Sequence, residues 1–506
     1  MGRVRCRLRC VSQPRLVPAD TPLRITAVQF APTVDRVHWI DGNESERLPR
    51  CGRSGVCLWD NGWLAPWGQS AWPFTLDGSI SNSDLFSFSD DSRASEALRI
   101  IRALSDAGFV AMLAGGCVRD ALLGKSPKDY DVATDATPDA VRDVFGKRRT
   151  LAFGASFGVI GVLPPREDRS ADTKVEPTEV ATFRSDGDYS DGRRPDSVHF
   201  GNAEDDAKRR DFTINGLFYD PAIGQVIDFV GGQADLRRGT LRTIGDPAKR
   251  FGEDKLRMLR AVRFATALAF QIDAATRDAI HVHADQISVV SGERIGAEMR
   301  RVLASPSAAE GLTRLVDCGL GDAVMPEING LDLAALADCL TELQPPTAVT
   351  VLATVLLHTD APEAGLRSIT NRWKLSNQEV RAVSAAIANW RTIAQADQLP
   401  FSTVQPALVD RDVDAILAVA RAMVRSSNQT GSPEQLGSSG IESAVRSLGL
   451  PADALDPPPL LTGDDLRALG IPAGPKYRVI LQQIRNQQLD GKISNRNDAI
   501  AAATLI

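Results

Sequence analysis

The apolar and polar positions follow two regimes that meet near residue 228. From Ala94, "ASEALRIIRALSDAG" spaces its apolar residues at helical intervals and stops at Gly108, which predicts a helix. "FVAMLAGG" is a short apolar run ending on two glycines, the mark of a buried strand. "CVRDALLG" reads as a helix closed by Gly124, and "DYDVAT" as a strand. "TPDAVRDVF" reads as a helix with Thr137 as N-cap and Pro138 in the first position. "SFGVIGVLP" and "PTEVATFR" predict two strands separated by the polar excursion "PPREDRSADTKVEP". After about residue 228 strands are expected to vanish. "EDKLRMLRAVRFATALAF", "GERIGAEMRRVLA" and "AAEGLTRLVDCG" carry helical spacing, and Ala- and Leu-rich helices continue to the end. Pro345-Pro346 and "DPPPLL" at 456–461 mark joints between helical units. The pattern predicts an α+β fold, a sheet-centred region followed by an all-helical remainder.

Residues 1–90 fit neither regime. Five of the seven tryptophans lie there (Trp39, Trp59, Trp63, Trp67 and Trp72) without a period, and the segment ends in a Ser/Asp-rich stretch. It is expected to be a poorly ordered extension, with a small partner-binding segment as the alternative. Its basic start lacks the apolar core of a signal peptide. At 506 residues the chain needs three or four domains. No apolar run approaches the ~18 residues of a membrane span. A net charge of -6 means that any nucleic-acid surface must be a local basic patch. The cysteine spacings build no convincing zinc or disulfide framework, which points to a reducing, cytoplasmic setting.

The candidate chemistry gathers in five motifs. Asp129 and Asp131 stand two apart in a predicted strand, so both carboxylates should share one face and can share divalent cations. Two Mg²⁺ ions there could activate an attacking hydroxyl and steady a leaving pyrophosphate. A lone pair of this kind is usually a solvated turn, but its neighbours change the balance. Upstream, Gly115 and Gly116 allow backbone to approach a phosphate at a helix start, and Arg119 can add a charge-assisted contact. Glu179 is the leading third carboxylate, with Glu176 and Asp172 as alternatives in the excursion. In "KRRDFTING", Arg209 and Arg210 can hold phosphate oxygens, Asp211 can accept from a ribose 2′-OH, and Asn215 can order the loop. In "GEDKLRMLRAVRFA", Asp254 and Arg257 are expected on one helix face, presenting an acceptor and donors to a base edge, while Glu253 and Arg257 could form an ordinary surface pair. From Arg237 to Arg263, nine Lys/Arg stand against three acidic residues, an excess that suits phosphates.

In this order, "GGCVRDALLG…DYD", "EVATFR", "RRDFTING", "EDKLRMLRAVRFA" and "GERIGAEMRRVL" resemble the motifs of the bacterial class II tRNA nucleotidyltransferase and poly(A) polymerase family. The resemblance runs from about residue 95 to 305, and the C-terminal "LLTGDDLRALGIPAGPKYRVILQQIRNQQLDGKI" is similar to the tail of many members. It implies a nucleotidyltransferase-type mixed-sheet head at 91–228 carrying Asp129, Asp131 and Glu179. A helical neck at 229–290 would read the base through Glu253, Asp254 and Arg257, with Arg260 joining the nucleotide-binding set. A helical body at 291–395 and tail at 396–506 would hold RNA. The implied reaction is attack of a tRNA 3′-hydroxyl on the α-phosphate of CTP or ATP, without a nucleic-acid template; no DNA and no membrane are implied as partners. The alternatives are poly(A) addition to RNA and a catalytically inactive RNA-binding protein. Many relatives carry a His-Asp phosphohydrolase module after the neck. Here Thr359 follows His358 and the chain has five histidines, so no such activity is expected.

Overall fold

The computed structural model describes residues 91–154, 157–166, 176–187, 189, 192, 195–429 and 437–505. The expectations for residues 1–90 and for Asp172 lie outside them. The first element, α1 (Ser92–Asp106), starts where the Asp91 carboxylate accepts from the Arg93 amide at 2.9 Å. Its spacing buries Ala94, Ala97, Ile100, Ile101 and Leu104 along one stripe. The elements that follow are β1 (Ala111–Ala114), α2 (Gly116–Leu122), β2 (Asp131–Thr134), α3 (Pro138–Phe145), β3 (Thr150–Gly154), β4 (Val159–Val162) and β5 (Thr178–Thr182). A hairpin of β6 (Arg184–Asp186) and β7 (Val198–Phe200), helix α4 (Ala203–Arg209), and the pair β8 (Leu217–Asp220) and β9 (Gln225–Asp228) complete this region.

Seven strands form one mixed sheet in the order β3-β4-β5-β2-β1-β8-β9. Within it β2 and β5 run parallel and the other neighbours antiparallel. Alternation along β1 sends Ala111 and Leu113 into the main core with α1, and Met112 and Ala114 into a smaller cluster with Ala133, Phe183, Ala207 and Phe218. Both faces of the central strands are therefore covered, which is why they read as continuous apolar runs.

Beyond residue 228 two sequence expectations need correction. Strands do not vanish: β10 (Thr240–Leu241) pairs in parallel with β11 (Gln271–Ile272). Two residues are too short to leave a period. The stretch from Glu253 is also not one helix. After α5 (Gly232–Arg238), helix α6 (Pro247–Glu253) ends and Asp254 is extended, at φ -145° and ψ 108°. Helix α7 (Leu256–Leu268) then begins, with the Asp254 carboxylate accepting from the Leu256 amide at 3.0 Å. An aspartate that bonds nearby backbone competes with helix continuation, and here it wins.

Helix α8 (Ala274–His283) and α9 (Gly292–Leu303) follow, and the described remainder is helical. Leu461, Leu466, Ile480, Ile484, Ala499 and Ala503 form a separate core after the "DPPPLL" joint. Among the described residues no helix is long and apolar enough to cross a membrane. His358 sits between Thr354 O (2.8 Å) and Ser426 Oγ (3.1 Å), bridging two helices.

Candidate active site

A cavity of about 1430 Å³ is lined by residues of every motif singled out above, among them Gly115, Gly116, Arg119, Asp129, Asp131, Glu179, Arg210, Asp211, Asn215, Asp254, Arg257 and Arg260. Glu253 is the exception: it stands behind the wall and reaches the cavity through its partner Arg257. Strand register explains the carboxylate side. Ala114 of β1 faces Asp131 of β2, so the Gly115–Gly116 turn falls directly beside Asp131. Val132 pairs in parallel with Val180, which places Glu179 one step back, next to Asp131. Asp129 precedes the strand rather than lying within it, a correction to the expected strand boundary. Buried Tyr130 still separates two exposed carboxylates, so the alternation of burial survives outside the strand.

Asp131 is open to the cavity but enclosed by protein on its other sides. Burial, followed by the charge of Glu179 and with a smaller push from Asp129, raises its carboxyl to about 6, against the opposing pull of Arg210. Carboxylates are the donors that a hard divalent cation takes. Among the described residues no three His, Cys, Asp or Glu side chains already converge as a ligand set. Glu176 also lines the cavity, but from the loop that precedes β5.

The same cavity is lined by a tightly wired cationic set. Asp206, fully buried, receives Arg210 through Nε and Nη2 (3.1 and 2.9 Å) and Arg209 through Nε (2.8 Å). Burial alone would raise Asp206; Arg210 and then Arg209 hold it below its ordinary range. Gly115 has φ +74°, and a Cβ there would stand 2.7 Å from Arg210 Nη1, so glycine satisfies both backbone and space. Arg119 Nη1 donates to Asn215 Oδ1 at 2.6 Å, and Asn215 Nδ2 donates to Asp211 Oδ1 at 2.9 Å. Asp211 Oδ1 also accepts from the Phe212 amide, and Oδ2 accepts from Arg260 Nε (2.9 Å) and Nη2 (2.5 Å). Burial opposes its charge, but Arg260 and Asn215 hold it well below the usual carboxylate range. Asp211 thus spends its acceptor directions on the protein.

The candidate base-reading residues take the Glu253–Arg257 pairing given as the alternative, not the expected Asp254–Arg257 face. Arg257 Nη1 donates to Glu253 Oε2 (2.5 Å) and to Arg250 O (3.0 Å), and Arg250 shares the same Glu253 oxygen at 2.6 Å. Asp254 turns to Arg294 of α9, at 2.8 Å. The break after Glu253 removes the helical phase that would have set Asp254 beside Arg257. Sequence reasoning missed Asp206, Arg250 and Arg294. Asp206 had a signal, standing four residues before Arg210 in a helical stretch; Arg294 lay in "GERIG" with nothing to name its partner.

Family models match along the chain in the same order. Residues 111–242 match the poly A polymerase head domain, 269–331 the "Probable RNA and SrmB- binding site of polymerase A", and 343–504 the second domain of tRNA nucleotidyltransferases. The CCA-adding enzyme of Levilactobacillus brevis is 33% identical over 413 residues, covering 80% of this chain and 96% of that enzyme. The chain belongs to the CCA-adding enzyme family. The CCA-adding enzyme of Geobacillus stearothermophilus is likewise 33% identical, over 80% of this chain and 95% of its own. The Bacillus stearothermophilus CCA-adding enzyme, solved in complex with CTP, superposes with a TM-score of 0.66 at 30% identity, over 82% of this chain and 98% of that one. Like other CCA-adding enzymes, the chain is a nucleotidyltransferase, and enzymes of this kind generally use divalent metals.

Proposed function

We propose that the protein adds CMP and AMP, from CTP and ATP, to the 3′ ends of tRNA without a nucleic-acid template. The observation that carries this reading is one cavity in which the carboxylates Asp129, Asp131 and Glu179 face the guanidiniums of Arg119 and Arg210, with Asp254 and Arg257 beyond. Its ~1430 Å³ exceeds the ~1000 Å³ upper range of small-molecule sites, leaving room for an RNA end beside a nucleotide. The chain's likeness to curated CCA-adding enzymes over four-fifths of its length supports tRNA over a poly(A) acceptor.

In the reaction the 3′-oxygen of the RNA bonds to the α-phosphorus as the bond from that phosphorus to the bridging oxygen breaks, releasing pyrophosphate. A divalent cation held by Asp129 and Asp131, Mg²⁺ in this reading and two ions in its full form, would lower the pKa of the attacking hydroxyl and offset charge on the leaving group. Arg119 and Arg210 hold the triphosphate against the carboxylate wall, and Gly115 and Gly116 keep that approach open. Glu179 completes the acidic side. Arg257, oriented by Glu253, and Asp254, oriented by Arg294, present donors and an acceptor to the base edge. Asp211 positions Arg260 and Asn215 beside the ribose and phosphates. The setting is cytoplasmic, supported by the unpaired, buried thiols Cys117, Cys318 and Cys339.

The test is purified protein with Mg²⁺, labelled CTP or ATP, and tRNA lacking its 3′ end, with product ends sequenced. Incorporation of C, C and A, or part of that series, is expected. Asp129→Ala with Asp131→Ala should lower the rate by at least ~1000-fold. Long A-tails instead, or full activity in the double variant, would overturn the reading.

A further inference from the structure

Phe264 of α7 is an aromatic ring on which three guanidiniums converge. Their central carbons lie 3.8 Å (Arg263), 5.2 Å (Arg119) and 5.4 Å (Arg260) from its centroid. The ring itself is held edge-on by fully buried Phe212, with centroids 5.7 Å apart and planes at 76°. Three cations this close repel one another. Each has a carboxylate of its own: Arg260 pairs with Asp211, Arg263 Nε donates to buried Glu298 at 2.5 Å, and Arg119 reaches Asp120 Oδ1 through Nε (2.8 Å) and Nη2 (2.7 Å). Arg119 also donates through Nη1 to the neutral amide oxygen of Asn215. It also comes from a different part of the fold, directly after the Gly115–Gly116 turn.

We propose that Phe264 is a positioning residue for nucleotide binding: its π face seats the Arg119 guanidinium in register with the neck helix, and so aims it at the triphosphate. This rests on the nucleotidyl-transfer reading above. The ring is not a platform for the substrate base. Only 8% of the residue remains accessible, and the protein's own guanidiniums occupy its surroundings. A cation near an aromatic ring is attracted by the ring's quadrupole, and a Leu of similar apolar character has none.

The experiment compares wild type, Phe264→Leu, Phe264→Trp and a series with one to three fluorines on the Phe264 ring, which keeps shape while draining the quadrupole. Steady-state incorporation gives KM and kcat for CTP and ATP, and calorimetry gives the affinity for inorganic tripolyphosphate. Phe264→Leu should raise both KM values by about tenfold, and weaken tripolyphosphate by the same factor. Its kcat should stay within about threefold, and CTP/ATP selectivity should hold. Trp should restore KM, and each added fluorine should raise it stepwise. A KM indifferent to fluorine, a Trp variant as weak as Leu, or a shift in selectivity without a shift in tripolyphosphate affinity would each overturn the proposal. The fluorinated proteins keep the question open to measurement if Phe264→Leu fails to fold. Absence of nucleotide incorporation by wild type would sink the activity reading alone, because tripolyphosphate binding still reports on Phe264.

Discussion

Asp254 and Arg257 stand three residues apart in the chain, yet each is held by another partner: Asp254 by Arg294 at 2.8 Å, and Arg257 by Glu253 at 2.5 Å. The candidate base-reading surface therefore has two separately mounted halves. One is braced within α6 and α7, the other from α9, forty residues on.

Arg294→Ala should loosen Asp254 without touching the phosphate wall. Discrimination between CTP and ATP should fall by about tenfold, the scale of one lost base-edge contact. Competition of labelled CTP against ATP at a defined tRNA end reads this directly. Unchanged selectivity would remove Arg294 from the set.

Gly115→Ala sets a Cβ 2.7 Å from Arg210 Nη1 at a backbone φ of +74°. At φ +74° and ψ -122° the backbone lies outside the αL well that some side chains tolerate, a cost of about 1–3 kcal/mol, and Arg210 must shift. Nucleotide KM should rise by about tenfold with a modest loss of thermal stability. An Ala variant with wild-type KM would show that Arg210 does not need this geometry.

Asp211 was expected from sequence to accept from a ribose 2′-OH, but its oxygens are engaged by Arg260, Asn215 and Phe212. Asp211→Ala should cost about 2–3 kcal/mol, because it strands Arg260 and the Asn215 amide. Any loss of preference for ribonucleotides over deoxyribonucleotides should then arrive with a lower melting temperature. Loss of that preference at unchanged stability would favour direct contact with the sugar.

Glu379 gives a pH signature far from the cavity. Hydrogen bonding from Arg300, opposed by burial and aided by Ser376, holds its carboxyl at about 2, against an ordinary 4.5. A folded-state pKa below the unfolded one stabilises fully above about 4.5 and is lost as pH falls towards 2. The pair is partly solvent-screened, so Glu379→Gln should cost about 1 kcal/mol at pH 7. It should also flatten the acid limb of a melting-temperature profile. A parallel profile in the variant would sink this assignment.

The sequence was most legible where one local rule decides the outcome. Thr137 caps α3 as read, its hydroxyl accepting from the Ala140 amide at 3.3 Å. Strands before residue 228 and helices after it were legible from period, while the mixed-sheet head was what the family resemblance implied. The sequence was least legible where side chains choose among distant partners. Helical spacing could not foresee that Asp254 would cap α7 and reach Arg294. Asp206 is one of three acids in the first turn of α4, and only burial between Arg209 and Arg210 sets it apart. Nothing in a linear string sets Phe264 beside Arg119.

The parallel pairing of β2 with β5 carries a lesson about which changes the enzyme can absorb. Glu179 reaches Asp131 by counting along β5, not by the path of the chain from Leu163 to Pro177. That excursion can change length without moving Glu179, the candidate third carboxylate. A single residue inserted inside β5 after Val180 would leave Glu179 where it is but break the pairing, while one inserted before Val180 would turn Glu179 to the opposite face. Tolerance and fragility thus lie a few residues apart on one strand, and they mark where engineered tags can be spliced and where they cannot.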